Sequence, residues 1–143
     1  MITQFNKYIT ENLIPNKDYF PSRTSVKQIS YGLKYLINNN ILKKGDINLD
    51  YGGGRFELGT EYMKEHGIIN LVYDIYSRSE EHNKKVIDFL RTKKVDSVTL
   101  LNVINTIANI NDRIFVIKDA YSHLKIGGYM LISSYHHNKS AKY

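Results

Sequence analysis

Asp50 and Asp74 are the two acidic residues of this chain whose neighbours suggest chemistry. Asp50 stands just ahead of three glycines in Ile47-Asn48-Leu49-Asp50-Tyr51-Gly52-Gly53-Gly54-Arg55-Phe56-Glu57. Asp74 closes the second apolar run, Ile68-Ile69-Asn70-Leu71-Val72-Tyr73. A glycine turn between a strand and a helix lets backbone N–H groups approach a ligand, because no Cβ blocks the way. A carboxylate at the end of the next strand, about twenty residues further on, can accept hydrogen bonds from two ribose hydroxyls. Together the two aspartates and the glycines predict a nucleotide-like cofactor. The plainer alternative is a tight turn closed by glycine and a loop capped by Asp74.

The kind of cofactor is narrowed by Glu57. In the pattern Gly52-x-Gly54-x-x-Glu57 it replaces the third small residue of the dinucleotide fingerprint, where close helix–strand packing accommodates a pyrophosphate. It also places negative charge near a helix N-terminus that should be receiving phosphate, which counts against a nicotinamide or flavin dinucleotide. No Gly-Lys-Ser/Thr follows the glycines, so the phosphate-binding P-loop is excluded as well. With no cysteine in the chain there are no disulfides, thiolate metal sites or cysteine nucleophiles. Metal-ligand spacing is not evident anywhere, and His66, His82 and His123 read as surface residues.

These residues need elements to hold them. Residues 1–22 read as an N-terminal helical arm, with Ile2, Phe5, Ile9 and Leu13 on one face and a stop near Pro15. From Ser25, Val26, Ile29, Leu33, Leu36 and Ile37 recur at helical spacing, with Thr24 or Ser25 as N-cap. The first strand runs from Ile47 to Asp50 or Tyr51, followed by a helix carrying Phe56, Leu58, Tyr62 and Met63 that Gly67 stops. After the second strand, Ser77 and Glu80 have capping-box spacing, with Ser79 a rival cap, ahead of a stripe of Val86, Ile87 and Leu90. Val95 to Leu101 is rich in β-branched residues and predicts a third strand. Residues 102–111 predict a loop with a short helical piece. Asp112 is expected to cap a helix carrying Ile114, Ile117, Tyr121 and Leu124, closed by Gly127-Gly128. A fourth strand spans Tyr129 to Tyr135. Strands alternating with helices imply a parallel sheet with right-handed crossovers. The domains are therefore expected to be the arm, 1–22, and a single α/β domain, 23–143.

The motifs, taken in order, resemble those of the class I S-adenosylmethionine-dependent methyltransferases. Asp50-x-Gly52-x-Gly54 is similar to that family's first motif, and Val72-Tyr73-Asp74 to its second. The run from Val95 to Ile104 resembles its fourth-strand motif. Arg113 through Leu124-Lys125-Ile126-Gly127-Gly128-Tyr129-Met130-Leu131-Ile132 resembles its R…LKPGG-strand signature, with Ile126 in place of the usual proline. The resemblance covers about Ser25 to Tyr135. It implies a Rossmann-like parallel sheet with helices on both faces and S-adenosylmethionine as cofactor. Asp50, Tyr51, Gly52, Gly53 and Gly54 would then line its methionine portion and Asp74 its ribose. Ile75 and Tyr76 would flank the adenine, and Asn102 would lie beside the transferring methyl group. A cofactor without phosphates, carrying a sulfonium and an ammonium, also suits an acidic residue placed ahead of the glycines.

Only about twenty residues separate Asp74 from the third strand, so the strand and helix that the family usually fits there are missing. The expectation is a contracted sheet of about four strands, in the order 2-1-4-5 in family terms. Its exposed last strand invites a homodimer or cover by the arm. Methyl transfer requires alignment of acceptor and sulfonium, with a base if the acceptor must lose a proton. The candidates for such work are Asn105, Tyr135, His136 and His137, the last two also reading as a solvated polar tail. The expected function is methyl transfer to an unidentified acceptor. The alternatives are a non-catalytic module binding S-adenosylmethionine or S-adenosylhomocysteine, and, less favoured, a nicotinamide-dependent oxidoreductase. A net charge of +6 permits nucleic acid as a partner, although the basic residues are scattered. No apolar stretch is long enough to span a bilayer and no signal peptide is evident, which predicts a cytoplasmic protein with no membrane partner.

Overall fold

The structure is a computed structural model that describes residues 27–134. The predicted arm at 1–22, the caps Thr24 and Ser25, and Tyr135, His136 and His137 lie outside the described residues. In chain order the elements are α1 (Tyr31–Asn38), β1 (Ile47–Tyr51), α2 (Leu58–Glu65), β2 (Ile69–Tyr73), α3 (Glu80–Leu90), β3 (Val95–Leu101), a 3-10 turn (Ile104–Thr106), α4 (Ile110–Ser122) and β4 (Leu124–Ser133). All strand pairs are parallel, in the order β2-β1-β3-β4, which is the predicted contracted arrangement.

The order dictates the layers. The chain steps outward from β1 to β2, then reverses past β1 to β3 and continues to β4. Right-handed crossovers therefore put α2 on one face of the sheet and α3 and α4 on the other. Two apolar clusters match this. Leu33, Leu36, Leu42, Met63 and Ile68 pack α1 and α2 on the first face. On the second, Leu49, Val98 and Leu100 of the sheet meet Val86 and Leu90 of α3 and Val116 and Ala120 of α4. The reversal leaves a crevice at the carboxyl ends of β1 and β3, where their loops depart in opposite directions. Open α/β sheets bind ligands at this switch point.

Several boundaries differ from the expected ones. α1 begins at Tyr31, with Ser30 at its N-cap, so Ile29 precedes the helix. α2 opens at Leu58 rather than directly after the glycines. Ser79, not Ser77, caps α3: its Oγ accepts from the His82 N–H at 3.1 Å. Asn109, not Asp112, caps α4, its Oδ1 accepting from the Asn111 N–H at 2.8 Å, while Asp112 is buried in the first turn. The inward stripe of α4 runs through Val116 and Ala120 with Asp119, and Ile114 and Tyr121 are exposed. α4 also stops before the glycine pair. Leu124 already pairs with Val95, and the register then slips so that Ser97 faces Tyr129. Gly127, at φ +80°, takes up the extra length. His123, expected on the surface, is half-buried at the end of α4, and burial pulls its imidazole down to about 4.

Candidate functional site

A cavity of about 960 Å³ opens at the switch point, towards the upper end of the roughly 300–1,000 Å³ usual for small-molecule sites. Asp50, Tyr51, Gly52, Gly53, Gly54, Asp74, Ile75, Tyr76 and Asn102 all line it, and so does Asn105. Residues far apart in the chain are thus brought to one wall, because parallel strands deliver their carboxyl ends to the same side.

Asp74 is the organising group. Its Oδ2 accepts from the Gly54 N–H at 2.9 Å, and its Oδ1 from the N–H groups of Tyr76 and Ser77 at 3.0 and 2.9 Å. One carboxylate therefore ties the glycine loop to the loop after β2. An ionised carboxylate offers about four lone-pair positions, so one on Oδ2 remains for a ligand hydroxyl. The backbone of Asp74 is itself clamped by Asn83 on α3. The amide oxygen of Asn83 accepts from the Asp74 N–H at 3.1 Å, and its Nδ2 donates to the Asp74 carbonyl at 3.0 Å. Arg78 braces the other side of the loop, with Nε donating to the Gly54 carbonyl at 2.7 Å and Nη1 paired to Glu57.

This wiring bears on the class of cofactor. The Gly52 N–H donates to the Tyr73 carbonyl at 2.7 Å, and the Gly54 N–H is taken by Asp74. Two of the three glycine donors are therefore spent inside the protein rather than offered to an anion. Because α2 starts four residues after Gly54, its N-terminus does not open directly from the glycine turn, as the dinucleotide motif requires. Loop and helix are poorly arranged for a pyrophosphate.

Asp50 is buried, and burial pushes its carboxyl up to about 6 against the favourable hydrogen bonds it receives. Thr99 Oγ1 donates to its Oδ1 at 3.0 Å. A Cβ on Gly53 would fall 2.6 Å from Asp50 Oδ2, so that glycine lies directly against the carboxylate. The environment of Asp50 is a polar network on the α1/α2 face of the sheet. Asn48 Nδ2 donates to Asn70 Oδ1 at 2.8 Å and to Thr99 Oγ1 at 3.1 Å, and Ser97 Oγ donates to Asn48 Oδ1 at 2.6 Å. Tyr51 points to the opposite face, where its hydroxyl donates to Asp119 Oδ2 at 2.8 Å and burial raises its phenol far above the ordinary value.

Sequence reasoning missed Asn48, Asn70, Asn83, Ser97, Thr99 and Arg78. A signal existed for most of them. Polar residues recur at alternate positions in three neighbouring strands, as Asn48/Asp50, Asn70 and Ser97/Thr99, where buried parallel strands are usually apolar throughout. Asn83 likewise interrupts the apolar stripe of α3 at the spacing of Val86 and Leu90. Nothing local distinguishes Arg78.

No family model matches the sequence, and neither does any curated protein. Solved structures do. An S-adenosylmethionine-dependent methyltransferase from Geobacter sulfurreducens, in complex with S-adenosylhomocysteine, superimposes with a TM-score of 0.50 at 18% identity, over 83% of this chain and 55% of that one. YjhP from Escherichia coli gives 0.51 at 19% identity, over 96% of this chain and 58% of that one. The chain thus spans a little over half the length of the proteins it matches. The likeness is one of fold, and together with the strand order it shows a Rossmann-like α/β fold shared with that S-adenosylmethionine-dependent methyltransferase.

Proposed function

We propose that this chain binds S-adenosylmethionine in the switch-point cavity and supports methyl transfer from it. The observation that carries this reading is the bond from Gly54 N–H to Asp74, which joins the glycine loop and the end of β2 into one wall while withdrawing a donor from any phosphate. The two carboxylates suit the cofactor at both ends. Asp50 offers negative charge to its cationic portion, and Asp74 keeps an acceptor position for a ribose hydroxyl. The absence of Cβ atoms at Gly52, Gly53 and Gly54 leaves room for close approach. Ile75 and Tyr76 are assigned to the adenine, and Asn102 to the neighbourhood of the reacting methyl.

S-adenosylmethionine supplies an electrophilic methyl group: the acceptor's lone pair forms the new bond to carbon as the C–S pair returns to sulfur, leaving S-adenosylhomocysteine. The protein's part is alignment of acceptor and methyl carbon, which can supply much of the acceleration in such a displacement. Asn105 is a cavity-lining candidate for orienting the acceptor. Tyr135, His136 and His137 remain candidates from sequence for receiving a proton.

The contracted sheet supports a second reading, a binding module for the cofactor or its product without transfer. α3 leads straight from β2 to β3, so the unit that normally completes the adenine pocket is missing from the interior of the fold. Radiolabelled methyl transfer into metabolite, nucleic-acid and protein pools separates the two readings. Incorporation that depends on Asp74 favours the enzyme, and tight binding with none favours the module.

A further inference from the structure

We propose that the part of the cavity bounded by Tyr31, Tyr35 and Asn102 receives the methyl acceptor, and that the acceptor is an uncharged, flat aromatic or heteroaromatic small molecule. This rests on the function proposed above. The first turn of α1 lies on the carboxyl end of β3: a Cβ on Gly32 would meet Leu101 Cδ2 at 2.5 Å. That seat holds Tyr31 and Tyr35, one turn apart on the same side of α1, at the cavity wall. Both rings are exposed, Tyr31 to 80%. Among the described residues the core does not use these two flat apolar surfaces, which are therefore presented as a stacking platform is.

Asn102 supplies the polar edge. It sits at φ +58°, an uncommon left-handed conformation for a residue with a side chain, fixed by its N–H donating to the Ser133 carbonyl at 2.9 Å. Its exposed amide and that of Asn105 lie on the loop after β3, with Ser133 and Ser134 beside them on the same cavity. Amides and hydroxyls of this kind can read the donors and acceptors on the rim of a ring.

The cavity wall itself offers a phosphate no cation. Among the described residues, the charged side chains lining the cavity are Asp50 and Asp74, both acidic. Lys43, Lys44, Lys93, Lys94 and Lys125 are exposed at the amino ends of β1, β3 and β4, while Lys27, Lys34 and Arg55 are exposed nearer the cavity without lining it. Despite the net charge of +6, no basic side chain among the described residues lines the cavity.

The test uses matched probes on the full chain saturated with S-adenosylhomocysteine. Quinolin-4-ol and 1-naphthol are titrated by calorimetry beside 1-naphthyl phosphate, on the wild type and on a Tyr31→Ala/Tyr35→Ala double variant. Both tyrosines are exposed, so the double variant should fold, and its affinity for S-adenosylhomocysteine should stay within about twofold of wild type. The expected result is binding of both uncharged rings, with the phosphate ester weaker by about tenfold or more. The double variant should lose about tenfold in ring affinity. Equal or tighter binding of the phosphate, ring affinity unchanged in the double variant, or no ring binding overturns the proposal. Failure of the wild type to bind S-adenosylhomocysteine at all is read separately, and overturns the cofactor reading with this one.

Discussion

Asp50 is held where its charge is costly. Its folded pKa of about 6 lies above the ordinary 3.8, so the folded chain holds the proton more tightly than the unfolded one. Its contribution to stability is therefore greatest below about pH 4 and is lost as the pH rises through about 6. By linkage the cost at neutral pH is about 3 kcal/mol. Asp50→Asn keeps a partner for Thr99 and removes the charge, so denaturant unfolding should show it more stable than wild type at pH 7.5, by up to about 3 kcal/mol, and the gain should vanish near pH 4. The same variant should bind S-adenosylmethionine at least about tenfold more weakly, because the negative charge facing a cationic ligand is gone. Finding Asp50→Asn less stable than wild type at pH 7.5 would contradict the account of its burial. Asp74→Ala is different in kind, since it strips an acceptor from three backbone N–H groups at once. It should lose about 1–3 kcal/mol of stability as well as cofactor affinity, and the joint loss is the signature of a residue that builds the loop it serves.

At the scale of elements, the slip between β3 and β4 is the least forgiving joint. A Cβ on Gly128 would come within 2.8 Å of the Asp96 carbonyl and 2.6 Å of Leu124 Cδ1, so both the backbone and the start of β4 must give way. Gly128→Ala should cost about 1–3 kcal/mol in chemical denaturation; a change under about 0.5 kcal/mol would mean the joint is looser than described. This joint also shows where sequence reading ran out. The pair Gly127-Gly128 reads naturally as a helix stop, yet α4 ends earlier because Leu124 pairs with Val95, a long-range contact that no local pattern announces. β3 was legible to the residue, since its run of β-branched and apolar residues is bounded by lysines and an asparagine. The inward face of α4 was not. Asn109 sets its start earlier than Asp112 suggests, and packing against the sheet buries Val116, Asp119 and Ala120.

For the whole molecule, the strand order and the cavity follow from one topological fact, the reversal of direction at β1. The alternation of strands and helices made a parallel sheet readable. The order with its reversal came only through the family resemblance of the motifs, and the two aspartates with their glycines marked the cavity's mouth. The buried polar network behind Asp50 and the brace from Arg78 were harder to see, because they join residues between 21 and 51 positions apart across different elements. Among the described residues β4 is an edge strand of ten residues with Tyr129 and Ile132 exposed, which is a template for pairing with a second copy. Light scattering is expected to show a dimer that Ile132→Lys converts to a monomer; a wild-type monomer at high protein concentration would remove that expectation. Among the described residues no helix is long and apolar enough to cross a membrane. The central claim concerns the cavity, and calorimetric titration of the folded chain with S-adenosylmethionine, S-adenosylhomocysteine, NAD and ATP tests it most directly. The expected result is saturable one-to-one binding of both S-adenosyl ligands, with NAD and ATP at least about a hundredfold weaker because the glycine loop keeps its donors for Tyr73 and Asp74. Binding of NAD or ATP in preference, or of neither S-adenosyl ligand, would contradict it.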